Sequence, residues 1–255
     1  MRIEGLDFAY ERLGSGPPLL FLNGSGTTLA EVTPLLGLLA EDFEVVGFDQ
    51  RGIGRTGLPG GPYTMADLAA DALAVADGLG WRRFRLLGVS FGGMVAQELA
   101  VTAPERVERL ALLCTSSGGA GGSSYPLHTL ADLDEDERER VSARLFGTPP
   151  GHRRPAAGVA AAEGAALQLA ARAGHDAFDR LPRIACPTFV ASGSQDLVAP
   201  PERGAALAGR IPGAVARVFE GGHLFLIEDP DALPELLRFL LGEEHPAAAG
   251  ELPSA

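Results

Sequence analysis

The chain has 255 residues, of which 46% are apolar, and a formal net charge of −12 at pH 7; its mean hydropathy is +0.12 and its isoelectric point is near 4.9. That length suits one α/β domain with a large buried core, and the composition excludes a disordered chain. The acidic balance excludes sequence-independent phosphate binding and attraction to anionic bilayers, so neither nucleic acid nor a membrane is expected as a partner.

Residues 3–12 alternate loosely and predict a hairpin or strand pair. Residues 18–23 (P-L-L-F-L-N) form a short apolar run that ends in glycines, the pattern of a buried parallel strand. A helix is expected over 31–40 and a strand over 43–49. A second helix is expected over 65–79, where Leu68, Asp71, Ala72, Val75 and Leu79 recur at helical spacing behind Thr64 as N-cap. Residues 84–89 predict a strand, 91–103 a helix and 107–114 a strand.

The alternation pauses over 118–180. A Gly/Ser-rich stretch leads there into an acidic, arginine-rich helix, then a Pro/Gly linker and an alanine-rich helix. Too few core-forming residues fall in this segment for it to fold alone, so it is expected as an insertion laid over a core of 1–117 and 181–242. Strand, helix, strand and helix resume at 187–192, 201–209, 214–220 and 230–241. The polar, Ala/Pro-rich residues 243–255 are expected to be a disordered tail. Strands alternating with helices make a parallel sheet covered on both faces, and chemistry gathers at the carboxyl ends of its strands.

Cys114 and Cys186 fall at opposite ends of neighbouring parallel strands, ~15–20 Å apart at ~3.3 Å per residue. A disulfide needs Cα atoms within ~7 Å, so two free buried thiols and a reducing compartment are expected. The first residues, M-R-I-E-G, lack the apolar core of a secretory signal, and no apolar run reaches the ~18 residues of a membrane span. A cytoplasmic location is the expectation. Oligomeric state is not legible in the sequence.

Three loops carry the chemistry. The first is G-V-S-F-G-G, after the strand over 84–89 and before a helix. A serine on so sharp a strand-to-helix turn needs neighbours without side chains two positions away on each side, and Gly88 and Gly92 stand there around Ser90. The following helix aims backbone N–H groups at developing negative charge. Ser90 is the candidate nucleophile.

Such a serine needs a base, and the base needs an orienting carboxylate; on this kind of turn the acid follows the serine and the histidine comes last. His128, His152 and His175 precede any suitable acid, and His245 lies in the tail. His223, in E-G-G-H-L-F after a strand, is the candidate base. Asp196 is the only carboxylate in the loop G-S-Q-D-L-V-A-P and is the candidate acid. The third loop, N-G-S-G-T at 23–27, is expected to supply one oxyanion donor, the backbone N–H of Ser25 next to Gly24, with the N–H of Phe91 as the other. In D-Q-R-G-I-G-R-T, Asp49 and Arg51 are expected to hold neighbouring backbone; the alternative is that Arg51 takes a substrate carboxylate. The acidic run over 132–140 is expected to be a solvated helix face. No His/Asp/Glu cluster has metal-ligand spacing, so neither metal nor cofactor is expected.

Taken together, L-L-G-V-S-F-G-G-M-V-A-Q-E-L-A, F-D-Q-R-G-I-G-R-T-G, S-G-S-Q-D-L-V-A-P and G-G-H-L-F-L-I-E-D-P resemble the α/β-hydrolase family, specifically its small cofactor-free esterase and lactonase branch. The resemblance implies a mainly parallel eight-stranded sheet, a helical cap at 118–180 and a two-step acyl-enzyme mechanism on a small-molecule ester, lactone or thioester. It leaves open C–C bond hydrolysis, peracid formation, and cyclisation or acyl transfer in specialised metabolism. From a different class, the fold also serves as a non-catalytic ligand-binding protein; three intact catalytic residues argue against that. One position departs from the pattern: many relatives carry histidine before the loop glycine, and here Asn23 stands there, able to hydrogen-bond the loop in its place.

Overall fold

The computed structural model describes residues 1–147 and 159–243. The chain opens with two short strands, β1 (Arg2–Ile3) and β2 (Leu6–Asp7). They are followed by β3 (Tyr10–Leu13), β4 (Pro18–Leu22), α1 (Leu29–Leu39), β5 (Glu44–Phe48) and α2 (Met65–Gly78). Next come β6 (Phe84–Val89), α3 (Phe91–Thr102) and β7 (Val107–Leu113). Between β7 and β8 (Thr188–Gly193) lie short 3-10 turns and two helices, α4 (Glu135–Phe146) and α5 (Val159–Ala173). Then α6 (Pro201–Arg210), β9 (Val215–Phe219), α7 (Phe225–Glu228) and α8 (Ala232–Leu241) complete the order.

The main sheet runs β3-β5-β4-β6-β7-β8-β9. Edge strand β3 is antiparallel to β5, and all other pairs are parallel. Among the described residues the sheet therefore has seven strands, not the eight expected. The reason lies at the start of the chain. Glu4 (φ 47°) and Gly5 (φ 85°) form a tight turn that pairs β1 with β2 alone. Both strands are two residues long, so they finish as an isolated hairpin beside the sheet.

Both faces of the sheet are covered, and the alternation along each strand assigns the sides. Leu20 and Leu22 of β4 join the cluster with Leu68, Val75 and Leu99 of α2 and α3. Leu19 and Phe21 of the same strand join Leu36 of α1 and Phe239 of α8 on the other face. The cap of α2 is as expected: Thr64 Oγ1 accepts from the Asp67 N–H, and Asp67 returns a bond to the Thr64 N–H. The insertion packs a small cluster of its own, Leu127 and Leu145, onto Val198 from beyond β8. Its acidic helix α4 lies mostly in solvent, with the Asp134 side chain capping it by accepting from the Glu137 N–H at 2.8 Å. The tail expected at 243–255 lies outside the described residues, apart from Glu243. Cys114 and Cys186 are buried and free. No helix among the described residues is long and apolar enough to cross a membrane.

After β5 the chain crosses back over β4 to β6, so the order reverses between β4 and β6. In open α/β sheets the crevice beyond such a switch point receives ligands. The loop at residues 23–27 and Ser90 flank that crevice.

Buried His175, at the end of α5, titrates against the fold. Burial lowers its pKa from 6.5 to about 4, partly opposed by the Glu98 carboxylate. The unfolded chain takes up this proton below pH 6.5 and the folded one does not, so stability is fully present above that pH and is lost between 6.5 and 4. The loss should reach about 3 kcal/mol. Urea midpoints at pH 7.5 and 4.5 should fall further for the wild type than for His175→Asn; equal falls would show that this imidazole does not titrate on unfolding.

Candidate active site

Ser90 occupies the strand-to-helix turn in a conformation few serines adopt, φ 54° and ψ −114°. Such backbone costs about 1–3 kcal/mol and persists only where its surroundings hold it. Hydrogen bonds to both of its backbone polar groups do so here. The Ser90 N–H donates to Leu113 O at 2.8 Å, and Ser90 O accepts from the Gly93 N–H at 2.9 Å and from Thr115 Oγ1 at 2.7 Å. The glycines are needed for close approach. A Cβ on Gly88 would lie 2.5 Å from Gly92 O, and one on Gly92 would overlap the Leu22 carbonyl. Gly93, which no local pattern in the sequence singles out, is equally constrained: its Cβ would stand 2.7 Å from Thr115 Cβ.

The other two loops bring their side chains to the same point. His223 Nε2 lies 2.9 Å from Ser90 Oγ, and His223 Nδ1 lies 2.8 Å from Asp196 Oδ2. Asp196 Oδ1 is separately held by the N–H groups of Val198 (2.7 Å) and Ala199 (2.9 Å), which fix the carboxylate plane. A carboxylate only accepts, so Nδ1 carries the imidazole proton and the lone pair of Nε2 faces the serine hydroxyl. Asp196 is 2% exposed and His223 6%, while Ser90 is half-buried and open to a substrate.

The acid and base loops are stitched together. The Gln195 N–H donates to Gly221 O at 2.8 Å, and a Cβ on Gly193 would overlap Gly222 O. Glu228 Oε2 accepts from the Gly222 N–H at 2.6 Å. On the open side, the Phe146 ring of α4 meets the His223 ring edge-on at 5.5 Å. Leu197 and Leu224, each directly following a relay residue, are exposed, as is Ile227 one turn further on.

The loop at 23–27 lies against Ser90; a Cβ on Gly24 would sit 3.8 Å from Ser90 Cβ. Neither the Ser25 N–H nor the Phe91 N–H finds an acceptor among the described residues. Asn23 bonds the loop from within, donating from Nδ2 to Thr27 O at 2.5 Å. Its backbone and side-chain oxygens each accept from Gln50 Nε2 at 3.0 Å. The insertion joins this network through Gln168 of α5: Oε1 accepts from the Gly26 N–H at 2.6 Å, and Nε2 lies 3.4 Å from Gln50 Oε1. Nothing local in the alanine-rich sequence marks Gln168, or Phe146, as a neighbour of the site; both arrive from the insertion through tertiary packing.

Asp49 holds backbone as expected, accepting from the Leu29 N–H at 2.6 Å and the Arg55 N–H at 2.8 Å. Arg51 holds a side chain rather than backbone: its Nε and Nη2 each donate to the buried Asp71 carboxylate at 2.6 Å. Committed to that fork, Arg51 is not free for a substrate carboxylate. His128 and His175 take no part in the relay, and His152 and His245 lie outside the described residues. Among the described residues no three His, Cys, Asp or Glu side chains are grouped to hold a metal ion.

A family model described as the α/β hydrolase fold matches residues 17–159. The poly(3-hydroxyalkanoate) depolymerase of Ectopseudomonas oleovorans is 32% identical, over 93% of this chain and 89% of its own. The 3-oxoadipate enol-lactonase 2 of Acinetobacter baylyi is 28% identical over 89% of each chain. Among solved structures, the enol-lactonase of Burkholderia xenovorans LB400 superposes with a TM-score of 0.80 at 30% identity, covering 94% of this chain and 98% of its own. With sheet, helices and sequence in agreement, the chain belongs to the α/β hydrolase fold family and is a serine hydrolase of that fold.

Proposed function

We propose that the protein cleaves a small or medium carboxylic ester, lactone or thioester through an acyl-enzyme on Ser90. The observation that carries this reading is the relay of Ser90, His223 and Asp196, spaced at 2.9 and 2.8 Å. Ser90 Oγ attacks the carbonyl carbon as His223 Nε2 takes its proton. Asp196 stabilises the resulting imidazolium and keeps the ring oriented. The oxyanion is held by the N–H groups of Ser25 and Phe91, which have no other acceptor among the described residues. The imidazolium then protonates the leaving oxygen or sulfur, and the tetrahedral intermediate collapses to the acyl-enzyme. Water, losing its proton to His223, attacks the acyl carbon, and the acid departs as Ser90 regains its hydrogen.

The stretch 118–180 acts as the cap in this reading, with Gln168 steadying the oxyanion loop and Phe146 shielding the base. The substrates that name the two relatives, a poly(3-hydroxyalkanoate) and an enol-lactone, are both carboxylic esters in the broad sense and support that bond class. Two free thiols support a reducing, cytoplasmic setting.

A fluorophosphonate probe tests the proposal. It should label the wild type and fail to label Ser90→Ala. p-Nitrophenyl esters of rising chain length should be hydrolysed only by the protein that labels. An unlabelled, inactive wild type would leave a ligand-binding protein as the better reading.

A further inference from the structure

Helix α5 meets the core with one face. Gly164 presses on Gly52, in the loop beyond β5, so closely that any Cβ there would overlap the Gly52 carbonyl. One turn on and on the same face, Gln168 reaches the loop beyond β4, where its Oε1 accepts from the Gly26 N–H at 2.6 Å. A further turn on, Arg172 Nη2 donates to Ser124 Oγ and Tyr125 O, which belong to the insertion itself. The helix is thus bound into the insertion at its end, and it rests on two core loops through residues 164 and 168.

Gln168 closes a ring of amides. Asn23 Nδ2 donates to Thr27 O, which turns Asn23 Oδ1 toward Gln50 Nε2. That leaves Gln50 Oε1 facing Gln168 Nε2 at 3.4 Å, and Gln168 Oε1 facing Gly26. The ring starts at the carbonyl of residue 27 and ends at the N–H of residue 26, so it clamps the loop at two adjacent residues. Asn23 and Gln50 come from the core, and Gln168 from the insertion. Its side chain is 1% exposed, which shields the Gly26 bond from competing water.

The loop needs such a clamp. Gly24 and Gly26 flank Ser25, and Gly26 stands at φ 64°, so the backbone there has little stiffness of its own. The peptide joining Ser25 to Gly26 offers its N–H to Gln168 at 2.6 Å, whereas its carbonyl meets Thr27 Oγ1 at 3.5 Å, a much weaker hold. The N–H of Ser25 lies on the preceding peptide. Gln168 therefore sets the peptide next to the oxyanion donor.

We infer that the oxyanion hole is competent only while α5 is seated on the core, with Gln168 as the positioning residue that couples insertion to hole. This rests on the hydrolase reading above. When the insertion lifts, the Gly26 N–H loses this acceptor and the Ser25–Gly26 peptide slackens. The Ser25 N–H then no longer points to where the oxyanion forms, so acyl transfer is confined to the closed site.

Gln168→Met keeps the length of the side chain and removes its amide. It should lower kcat roughly 10- to 100-fold on a p-nitrophenyl ester and leave KM within about 3-fold, part of the loss expected when an oxyanion donor is removed outright. An alkyl trifluoromethyl ketone, whose adduct with Ser90 carries the oxyanion, should bind more weakly by a similar factor. The alkyl methyl ketone of equal length, bound as the ketone, should bind as it does to the wild type. Gly164→Ala leaves the loop at 23–27 untouched, yet by lifting α5 it should reproduce the loss in kcat, and adding it to Gln168→Met should cost little more. Fluorophosphonate labelling carried to completion counts the folded sites in each preparation, so unfolded protein does not enter the rates. A Gln168→Met protein that keeps its kcat, or that binds both ketones equally more weakly, overturns the inference and leaves the residue a packing element. Gly164→Ala with wild-type kcat overturns it as well. Each of those results leaves labelled Ser90 and the hydrolase reading standing, which a wild type that takes no label would defeat.

Discussion

Asp196→Asn is expected to lower kcat about 10⁴-fold and leave KM close to the wild-type value. The size follows from which atoms the carboxylate serves. Oδ1 accepts from two backbone N–H groups and Oδ2 faces the imidazole. An amide can satisfy only part of that. If its oxygen stays with Val198 and Ala199, its NH2 points at Nδ1 and forces the proton to Nε2, where it cannot receive the serine hydrogen. If the amide flips, two backbone donors meet an NH2 group in a buried site. The imidazolium also loses its counter-charge in the transition state. Because the three residues act as a unit, His223→Ala should cost more, and adding Asp196→Asn to it should cost little further. Pre-steady-state kinetics on p-nitrophenyl acetate will check this; a loss under about 10-fold for Asp196→Asn would mean that another group orients the base.

Gly92→Ala should strike stability and catalysis together. The new Cβ would overlap the Leu22 carbonyl and lie 2.7 Å from Asn23 O. Both obstacles are backbone, at the end of a buried central strand, so no side chain can rotate away. Relief requires α3 to move off β4, which would loosen the packing of Leu22 against α2 and α3. We expect a destabilisation of about 3 kcal/mol or more, from overpacking without room to relax. At this chain length that is a fall of roughly 10 °C in Tm. The oxyanion loop begins at Asn23, so surviving protein should also lose kcat. Differential scanning calorimetry is the check, and a Tm within about 2 °C of wild type would contradict the contact.

Much of this architecture was readable before any coordinates, and the reasons are local. P-L-L-F-L and F-R-L-L-G-V are buried on both faces, so they appear as continuous apolar runs, and the structure begins and ends β6 where the sequence does. Gly88 and Gly92 stood out because a turn that presents a serine leaves no room for a Cβ. Asp196 could be picked because its loop held no competing carboxylate. What was not readable depends on partners distant in sequence. The pairing of β1 with β2 alone is decided by where a two-residue turn leaves their free edges, and the expectation of eight strands failed there. Four-residue α7 is too short to show a period. Gly93 matters only because Thr115 faces it. Gln168 and Arg172 sit in an alanine-rich helix whose pattern announces burial but not what lies beneath. Arg51 holds Asp71 rather than backbone, and in the sequence Asp71 is only one more position on the helix α2 stripe.

The stitching of the Gly193–Gln195 and Gly221–Gly222 segments has a consequence for how the centre yields under thermal motion. Acid and base ride on one welded corner, whereas the hydroxyl belongs to a separate turn across the crevice. Fluctuations will therefore part the imidazole from the serine before they part it from the carboxylate. In the acyl-enzyme mechanism proposed above, that order suits the second half-reaction. Once the serine oxygen is esterified it can no longer offer a proton, and the ring, still correctly oriented by its aspartate, is free to engage a water molecule instead.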